Sequence, residues 1–339
     1  MEDTTIKKYR FYGWETADVQ AHAELFPTIR TPRDLYDALS GIWCEYTCAP
    51  RMRKDWSPEN KTLGQCSITA FLAQDIFGGK VYGIPLPDGG YHCYNVVDGC
   101  LFDLTSEQFG NEVLNYEDNP EQFREVHFTK EEKRLRYEYL KDELRKREDL
   151  YLKIQAFTPC NEQEERDRRL LLKWLTQNRT VWKRDNPTAH LTASAWVVSP
   201  ERDRVLMAYH NIYRSWSWLG GHADGESDLS AVALREVKEE SGLSQVRLVS
   251  PQIYSLEILT VDGHEKKGKY VSSHLHLNVT FLVEADPLEP LSIKPDENSS
   301  IAWFSPEEAV ERSTEPWFRE RIYSKLNEKL KSSMGCQFH

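Results

Sequence analysis

No hydrophobic run in the chain approaches the roughly 18 residues needed to cross a bilayer, so a membrane-spanning protein is not expected. A basic excess is also missing. The 43 Lys and Arg against 54 Asp and Glu leave a formal charge of −11, which opposes binding to a nucleic-acid backbone or an anionic membrane surface. The seven cysteines form no evenly paired, closely spaced set: Cys44, Cys48, Cys66, Cys93 and Cys100 fall in the first third, and reduced thiols are expected rather than a disulfide framework. Internal repeats and low-complexity tracts are absent, which excludes solenoids and flexible scaffolds. The start, Met1-Glu-Asp-Thr-Thr-Ile-Lys-Lys, has acidic residues where a secretory leader is basic, so a cytoplasmic setting is expected. An anionic small substrate would therefore need a metal ion or a local basic pocket.

What remains is a chain of 339 residues, 40% hydrophobic and 29% charged, more than one core usually organises. Residues 30–126 mix short apolar runs with Gly and Pro punctuation and predict an α+β domain over 1–128. From Thr129 the composition turns to Lys, Arg, Glu and Leu, and a second helix is predicted from Asn161, whose side chain can cap while Glu164 reaches back. These two helices make 129–187 a helical connector. Strand patterns return at Leu191–Val198 and Val205–His210, opening a domain over 188–312, and 313–339 reads as a terminal helix and loose tail.

The chemistry concentrates in Trp216-Ser-Trp-Leu-Gly-Gly-His-Ala-Asp-Gly-Glu-Ser-Asp-Leu-Ser-Ala-Val-Ala-Leu-Arg-Glu-Val-Lys-Glu-Glu-Ser-Gly-Leu243. Asp228 can cap a helix, Gly242 suits the left-handed residue that ends one, and the helix is predicted over Leu229–Ser241. At about 100° per residue, Glu236, Glu239 and Glu240 share one face. Three acids without a basic partner on that face repel one another, and a divalent cation would remove the repulsion. Carboxylate oxygens at this density suit Mg²⁺, with Mn²⁺ as a substitute, rather than zinc. A merely acidic solvated helix is the plainer alternative.

This segment resembles the Nudix hydrolase family, whose box reads Gly-x5-Glu-x7-Arg-Glu-apolar-x-Glu-Glu-x-Gly-apolar, aligned on Arg235 to Leu243 with Gly221 leading. Ser227 stands where the first box glutamate falls, flanked by Glu226 and Asp228. The resemblance implies an α/β/α sandwich around a mixed sheet, with Glu236, Glu239 and Glu240 holding metal and Arg235 orienting them. It implies attack of an activated water on phosphorus in a nucleoside diphosphate linked to another group, one glutamate taking the proton. Which glutamate does so is left open. Glu297, in the polar loop before Ile301, sits where some relatives place a catalytic or metal-binding acid, although capping a turn is its plainer role. Trp218, Gly220, Gly221 and His222 are the candidate substrate contacts. Trp216, Trp218 and Tyr213 offer faces for stacking on a nucleobase or for core packing. The proline that ADP-ribose hydrolases carry after the box is replaced here by Ile258, and no tyrosine of the diadenosine-polyphosphate type follows. A nucleotide sensor without turnover is the competing reading that Ser227 keeps open, and an oligomer is possible without being predicted.

His274 and His276 alternate along a predicted strand and so point to one face. Two histidines alone do not make a metal site.

In the first third, Gly64-Gln-Cys-Ser-Ile-Thr-Ala places Cys66 where a loop enters an apolar helix, a position that favours a thiolate. His92 and Asp103 follow on predicted strands, an order that fits nucleophile, base and orienting acid. A buried cysteine beside an unconnected histidine is the plainer alternative, and Cys44, Cys48, Cys93 and Cys100 offer a loosely spaced zinc set. The stretch resembles the bacterial YunG-like family through Gly64 to Ala70, Phe77-Gly-Gly and Asp103 to Phe109, and more remotely papain-like or transglutaminase-like folds. That family brings no settled activity, so cysteine-dependent hydrolysis or acyl transfer is an expectation from the residues.

Overall fold

The computed structural model describes residues 11–22, 26–87, 89–177, 182–184, 186–266 and 268–335. Two units emerge from backbone proximity: Met1–Leu150 with Leu175–Arg179, and Tyr151–Trp174 with Thr180–His339.

In the first unit, α1 (Pro32–Leu39) starts at a capping box, in which Thr31 and Asp34 satisfy each other's backbone amides and Pro32 presets the first turn. Helix α2 (Cys66–Phe77) is largely apolar and buried at Ile68–Ala73, Ile76 and Phe77, as a helix inside a core must be. Strands β1 (Lys80–Pro85), β2 (Tyr91–Val97), β3 (Cys100–Phe102) and β4 (Glu121–Gln122) form an antiparallel sheet in the order β3-β2-β1-β4. After the short α3 (Arg124–His127), helix α4 (Glu131–Ala156) lays Tyr137, Leu140 and Leu144 into the same core as Leu35, Phe71, Ile76 and Phe102. The buried Arg136 of α4 donates to the Thr47 carbonyl at 2.9 Å. The Leu140 and Leu144 pair, four residues apart, is therefore the core-facing stripe of a charged helix.

The second unit begins within α4 and takes in most of α5 (Glu162–Gln177), as far as Trp174; the first turn of α5 is capped by the Asn161 side chain accepting from Glu164 N at 3.0 Å. Glu164 reaches back to the Cys160 amide, one residue earlier than expected. Strands β5 (Ala189–Val198), β6 (Val205–His210), β7 (Ser215–Ser217) and β8 (Leu219–His222) precede α6 (Leu229–Ser241). Then follow β9 (Val246–Leu248), β10 (Ser255–Val261), β11 (His264–Lys266), β12 (Lys269–Val271), β13 (His274–Ala285), β14 (Asn298–Phe304), α7 (Pro306–Arg312) and α8 (Ser324–Gly335). The central order is β10-β13-β5-β6-β14; β13 and β5 run parallel over ten residues while their neighbours are antiparallel, which makes the sheet mixed.

Alternation along β5 divides the faces. Trp196 and Val198 join a core with Met207, Ile322, Tyr323, Leu326 and Leu330, while α6 covers the other face of β5. The α/β/α arrangement follows. Beyond 312, where a terminal helix and loose tail were expected, α8 and the turn before it supply buried residues; residues 336–339 lie outside the described ones. No helix among the described residues is long and apolar enough to cross a membrane.

Candidate functional site

Helix α6 forms where its caps allow it. The Asp228 side chain accepts from the amides of Ser230 and Ala231 at 3.0 and 3.1 Å, and Gly242 ends the helix at φ 73°. Glu226 is used nearby, accepting from the Asp228 amide at 3.0 Å. Both carboxylates flanking Ser227 thus hold the loop and the helix start, and neither joins the acidic cluster.

That cluster consists of Glu236, Glu240 and Glu297, whose carboxylate oxygens lie within 4.8 Å of one another. Two glycines admit it. A Cβ at Gly221 would stand 2.5 Å from Glu236 Cδ, and one at Gly220 would stand 2.5 Å from the Ala193 carbonyl, so β8 can approach both β5 and α6 only without side chains there. The Gly220 amide donates to Glu240 Oε1 at 3.1 Å. Glu240 is only 6% exposed. Burial pushes its carboxyl up to about 8, the Gly220 amide pulls the other way, and the charges of Glu236 and Glu297 add to the rise.

Glu239 shares the helix face but not the cluster: it is half exposed and paired with Lys294 at 3.2 Å and Arg235 at 3.7 Å. Arg235 also holds Glu236 at 3.0 Å, and Lys294 holds Glu297 at 2.9 Å. Asn298 fixes the loop that carries Glu297, donating to the Glu240 carbonyl at 3.2 Å and accepting from Lys294 N at 3.1 Å. Lys294 and Asn298 were not singled out from sequence; they sit more than fifty residues beyond the helix with nothing local to mark them.

Trp218, expected at the substrate, is a core residue here. Its ring packs edge-on against Phe318 and Tyr323, and its amide donates to Tyr323 Oη at 3.2 Å. Trp216 packs edge-on against Phe304 and Tyr209, whereas Tyr213 is exposed. His222 joins a second cluster that sequence reasoning had half in view: His190, His222, His274 and His276 each present a ring nitrogen within 4.8 Å of the others. Burial, then neighbouring rings, hold His276 down at about 2, and burial with the His274 charge lowers His190.

In the first unit, His92 on β2 is fully buried and its Nε2 lies 2.6 Å from Asp103 Oδ2. Asp103 also accepts from the Thr105 amide at 3.0 Å, Thr105 Oγ1 at 3.2 Å and Tyr116 Oη at 3.0 Å. Burial opposes charge on His92, but the Asp103 charge and hydrogen bond, together with Cys66, raise it to about 10. Cys66 opens α2 and is partly exposed; hydrogen bonding from the Cys93 thiol and then the His92 charge hold its thiol well below the ordinary range, against burial. Asp103 thus holds His92, with Tyr116 as an added partner, and Cys66 perturbs the His92 ring, although His92 Nδ1, the nitrogen left for the thiol, has no hydrogen-bond partner among the described residues. The six described cysteines are free, and Cys44, Cys48, Cys93 and Cys100 do not gather into a metal-binding group among the described residues.

Residues 188–326 match the family model described as NUDIX domain, and residues 31–149 match the one described as YunG protein. The chain carries a Nudix domain. Its other matched region resembles the "Uncharacterized protein YunG" of Bacillus subtilis (strain 168), 43% identical over 54 residues, which are 16% of this chain and 46% of that protein. The chain thus spans less than half the length of that curated relative. Similar solved structures include an Ap4A hydrolase from C. elegans in a binary complex, 17% identical over 43% of this chain and 97% of that one with a TM-score of 0.30. A NUDIX-family hydrolase from Clostridium perfringens is 22% identical over 42% of this chain and 97% of that one, TM-score 0.30. The E. coli dihydroneopterin triphosphate pyrophosphohydrolase is 15% identical over 43% of this chain and 97% of that one, TM-score 0.32.

Proposed function

We propose that the Nudix domain is a magnesium-dependent hydrolase that cleaves a phosphoanhydride in a small nucleotide-like substrate, a nucleoside diphosphate linked to another group. The observation that carries the reading is the convergence of Glu236, Glu240 and Glu297 with a buried carboxyl at its centre. Glu240 has one amide and no salt-bridge partner of its own among the described residues, so an oxygen-preferring cation fits the site chemically. Glu236, Glu240 and Glu297 would hold it. When bound, such an ion polarises the phosphate and lowers the pKa of a coordinated water.

The chain's own groups do the rest. Gly220 and Gly221 let the loop approach and orient Glu240 through the Gly220 amide. Arg235 steadies Glu236. Lys294 holds the Glu297 carboxylate at 2.9 Å and, being partly open to solvent, that carboxylate is placed to accept a proton from water. Glu239 is held between Arg235 and Lys294, at the rim. The acidic chain and its free thiols support a cytoplasmic setting. The test is product analysis of nucleoside diphosphate sugars, dinucleotides and nucleoside triphosphates incubated with the full chain and Mg²⁺. Cleavage between two phosphates supports the reading. Tight binding without any product would replace it with a nucleotide sensor.

A second reading is favoured by the Cys66, His92 and Asp103 geometry. Here the first unit attacks an acyl group: Cys66 Sγ bonds to the carbonyl carbon as its bond to the leaving amine or alcohol breaks, that group takes its proton from His92, and the thioester then yields an acid to water or passes its acyl group to another amine or alcohol, freeing the thiol. Trapping of Cys66 by an acyl probe, lost in His92→Ala, tests it.

A further inference from the structure

The four histidines lie on the face of the sheet turned away from α6. Gly221 and its register partner Ala193 face Glu236, so the adjoining Thr192 and His222 turn to the opposite face, and His190 follows two residues from Thr192. His190 and His276 are direct partners in the parallel pairing of β5 with β13. Three strands therefore bring one ring each to a point, and His274 adds a fourth.

Three features distinguish this group from histidines that merely pack. His190 is 6% exposed, and both its ring nitrogens are buried without a hydrogen-bond partner, a cost that a packed core histidine would ordinarily avoid. His274 Nδ1 lies 2.8 Å from the Ser272 carbonyl, to which it can only donate, so its Nε2 carries the lone pair, in the manner of a metal-bound histidine held by a backbone carbonyl. That Nε2 is 3.2 Å from His276 Nε2. Two nitrogens each about 2.0–2.1 Å from one tetrahedral zinc stand about 3.3 Å apart.

We infer that His190, His222, His274 and His276 form a zinc site, separate from the carboxylate cluster on the other face. Four nitrogen donors complete a tetrahedron and leave no position for water, so the site is structural. Its work is to tie β8 to β5 and β13, and thereby to hold the Gly220–Gly221 loop on which Glu240 and Glu236 depend. Magnesium does not compete for it, because imidazole nitrogen is a poor ligand for that ion.

The test is metal analysis of the full chain after chelation and reconstitution with zinc alone, with cobalt substitution to read ligand type and thermal melting to read stability. One tightly held zinc per chain is expected, with a tetrahedral cobalt spectrum lacking thiolate charge-transfer bands and a melting temperature raised by zinc. His190→Ala and His274→Asn should each weaken zinc binding by more than the roughly 10–100-fold lost on removing an outer-shell partner. Glu236→Gln should leave zinc binding unchanged. Because His190→Ala alone could fail to fold, the more peripheral His274→Asn is the deciding variant. The inference is overturned if the intact chain retains no zinc, if thiolate bands appear, or if zinc is held equally well in His274→Asn.

Discussion

Replacing Glu240 by Gln should make the metal-free chain more stable in alkaline solution while removing its response to magnesium. Glu240 titrates at about 8 in the fold against an ordinary 4.5, because burial disfavours its charged form. At about 1.4 kcal/mol per tenfold change in proton affinity, that difference sets an upper bound of about 5 kcal/mol. The sign follows from the raised value: the protonated carboxyl is favoured by folding, so its contribution is complete below the unfolded pKa near 4.5. It is lost as the pH rises through the folded pKa and stays lost above it. The metal-free chain should therefore lose stability between about pH 5 and pH 8 relative to Glu240→Gln, whose amide oxygen still accepts from Gly220. Urea unfolding followed by tryptophan fluorescence, with chelator and then with Mg²⁺, measures both effects, using the transition that responds to the ion. Parallel pH profiles for the two proteins, or equal stabilisation of both by magnesium, would refute the argument.

The first unit makes its own prediction: Cys66 should be alkylated at pH values well below those at which an ordinary thiol reacts, and Asp103→Asn should shift its labelling profile upward. Labelling of Cys66 with an ordinary thiol profile would contradict the coupling to His92. In Gly221→Ala, a Cβ placed 2.5 Å from Glu236 Cδ must displace that carboxylate, and kcat should fall by about 100-fold with a weaker Mg²⁺ requirement curve; unchanged magnesium titrations would show that the loop yields. Lys325, buried 2.9 Å from Glu257 and 3.3 Å from Glu164, neutralises two carboxylates that are themselves fully buried. Lys325→Met should cost about 3–5 kcal/mol in urea unfolding, and a loss under about 1 kcal/mol would mean that Lys329, which lies 2.6 Å from Glu164, suffices with Glu257 left unpaired.

How much could be read beforehand depended on how local each signal was. The glutamate helix and its ends were legible because Asp228, Gly242 and the acidic spacing lie within one short segment governed by capping and helical period. Glu297 was found only through the family resemblance, and its partners Lys294 and Asn298 were invisible, since nothing in the intervening strands marks where that loop returns. Glu239 looked equivalent to Glu240 on a helical wheel, yet burial separates them: one turns under β8, the other to solvent and Lys294. Trp218 was misplaced because it sits at the one-residue step between β7 and β8, where no alternation says which face a ring takes. The histidines show the same limit. The pair on β13 was visible through its spacing, but His190 and His222 join it only through the parallel register of β5 with β13 and the pairing of β8. Cys66, His92 and Asp103 fall within one short stretch of sequence, at the start of α2, on β2 and just after β3, so their order was informative, whereas Tyr116 comes from a loop with no pattern.

The central claim, that Glu236, Glu240 and Glu297 together hold the cation for anhydride cleavage, is tested most directly by turnover of the best substrate across a magnesium titration in the intact chain, Glu236→Gln, Glu240→Gln and Glu297→Gln. The account predicts strict magnesium dependence in the intact chain, a loss of about 100-fold or more in the Glu236 and Glu240 variants, and melting behaviour showing that both remain folded. Turnover that persists in chelator, or that survives Glu240→Gln undiminished, would contradict it.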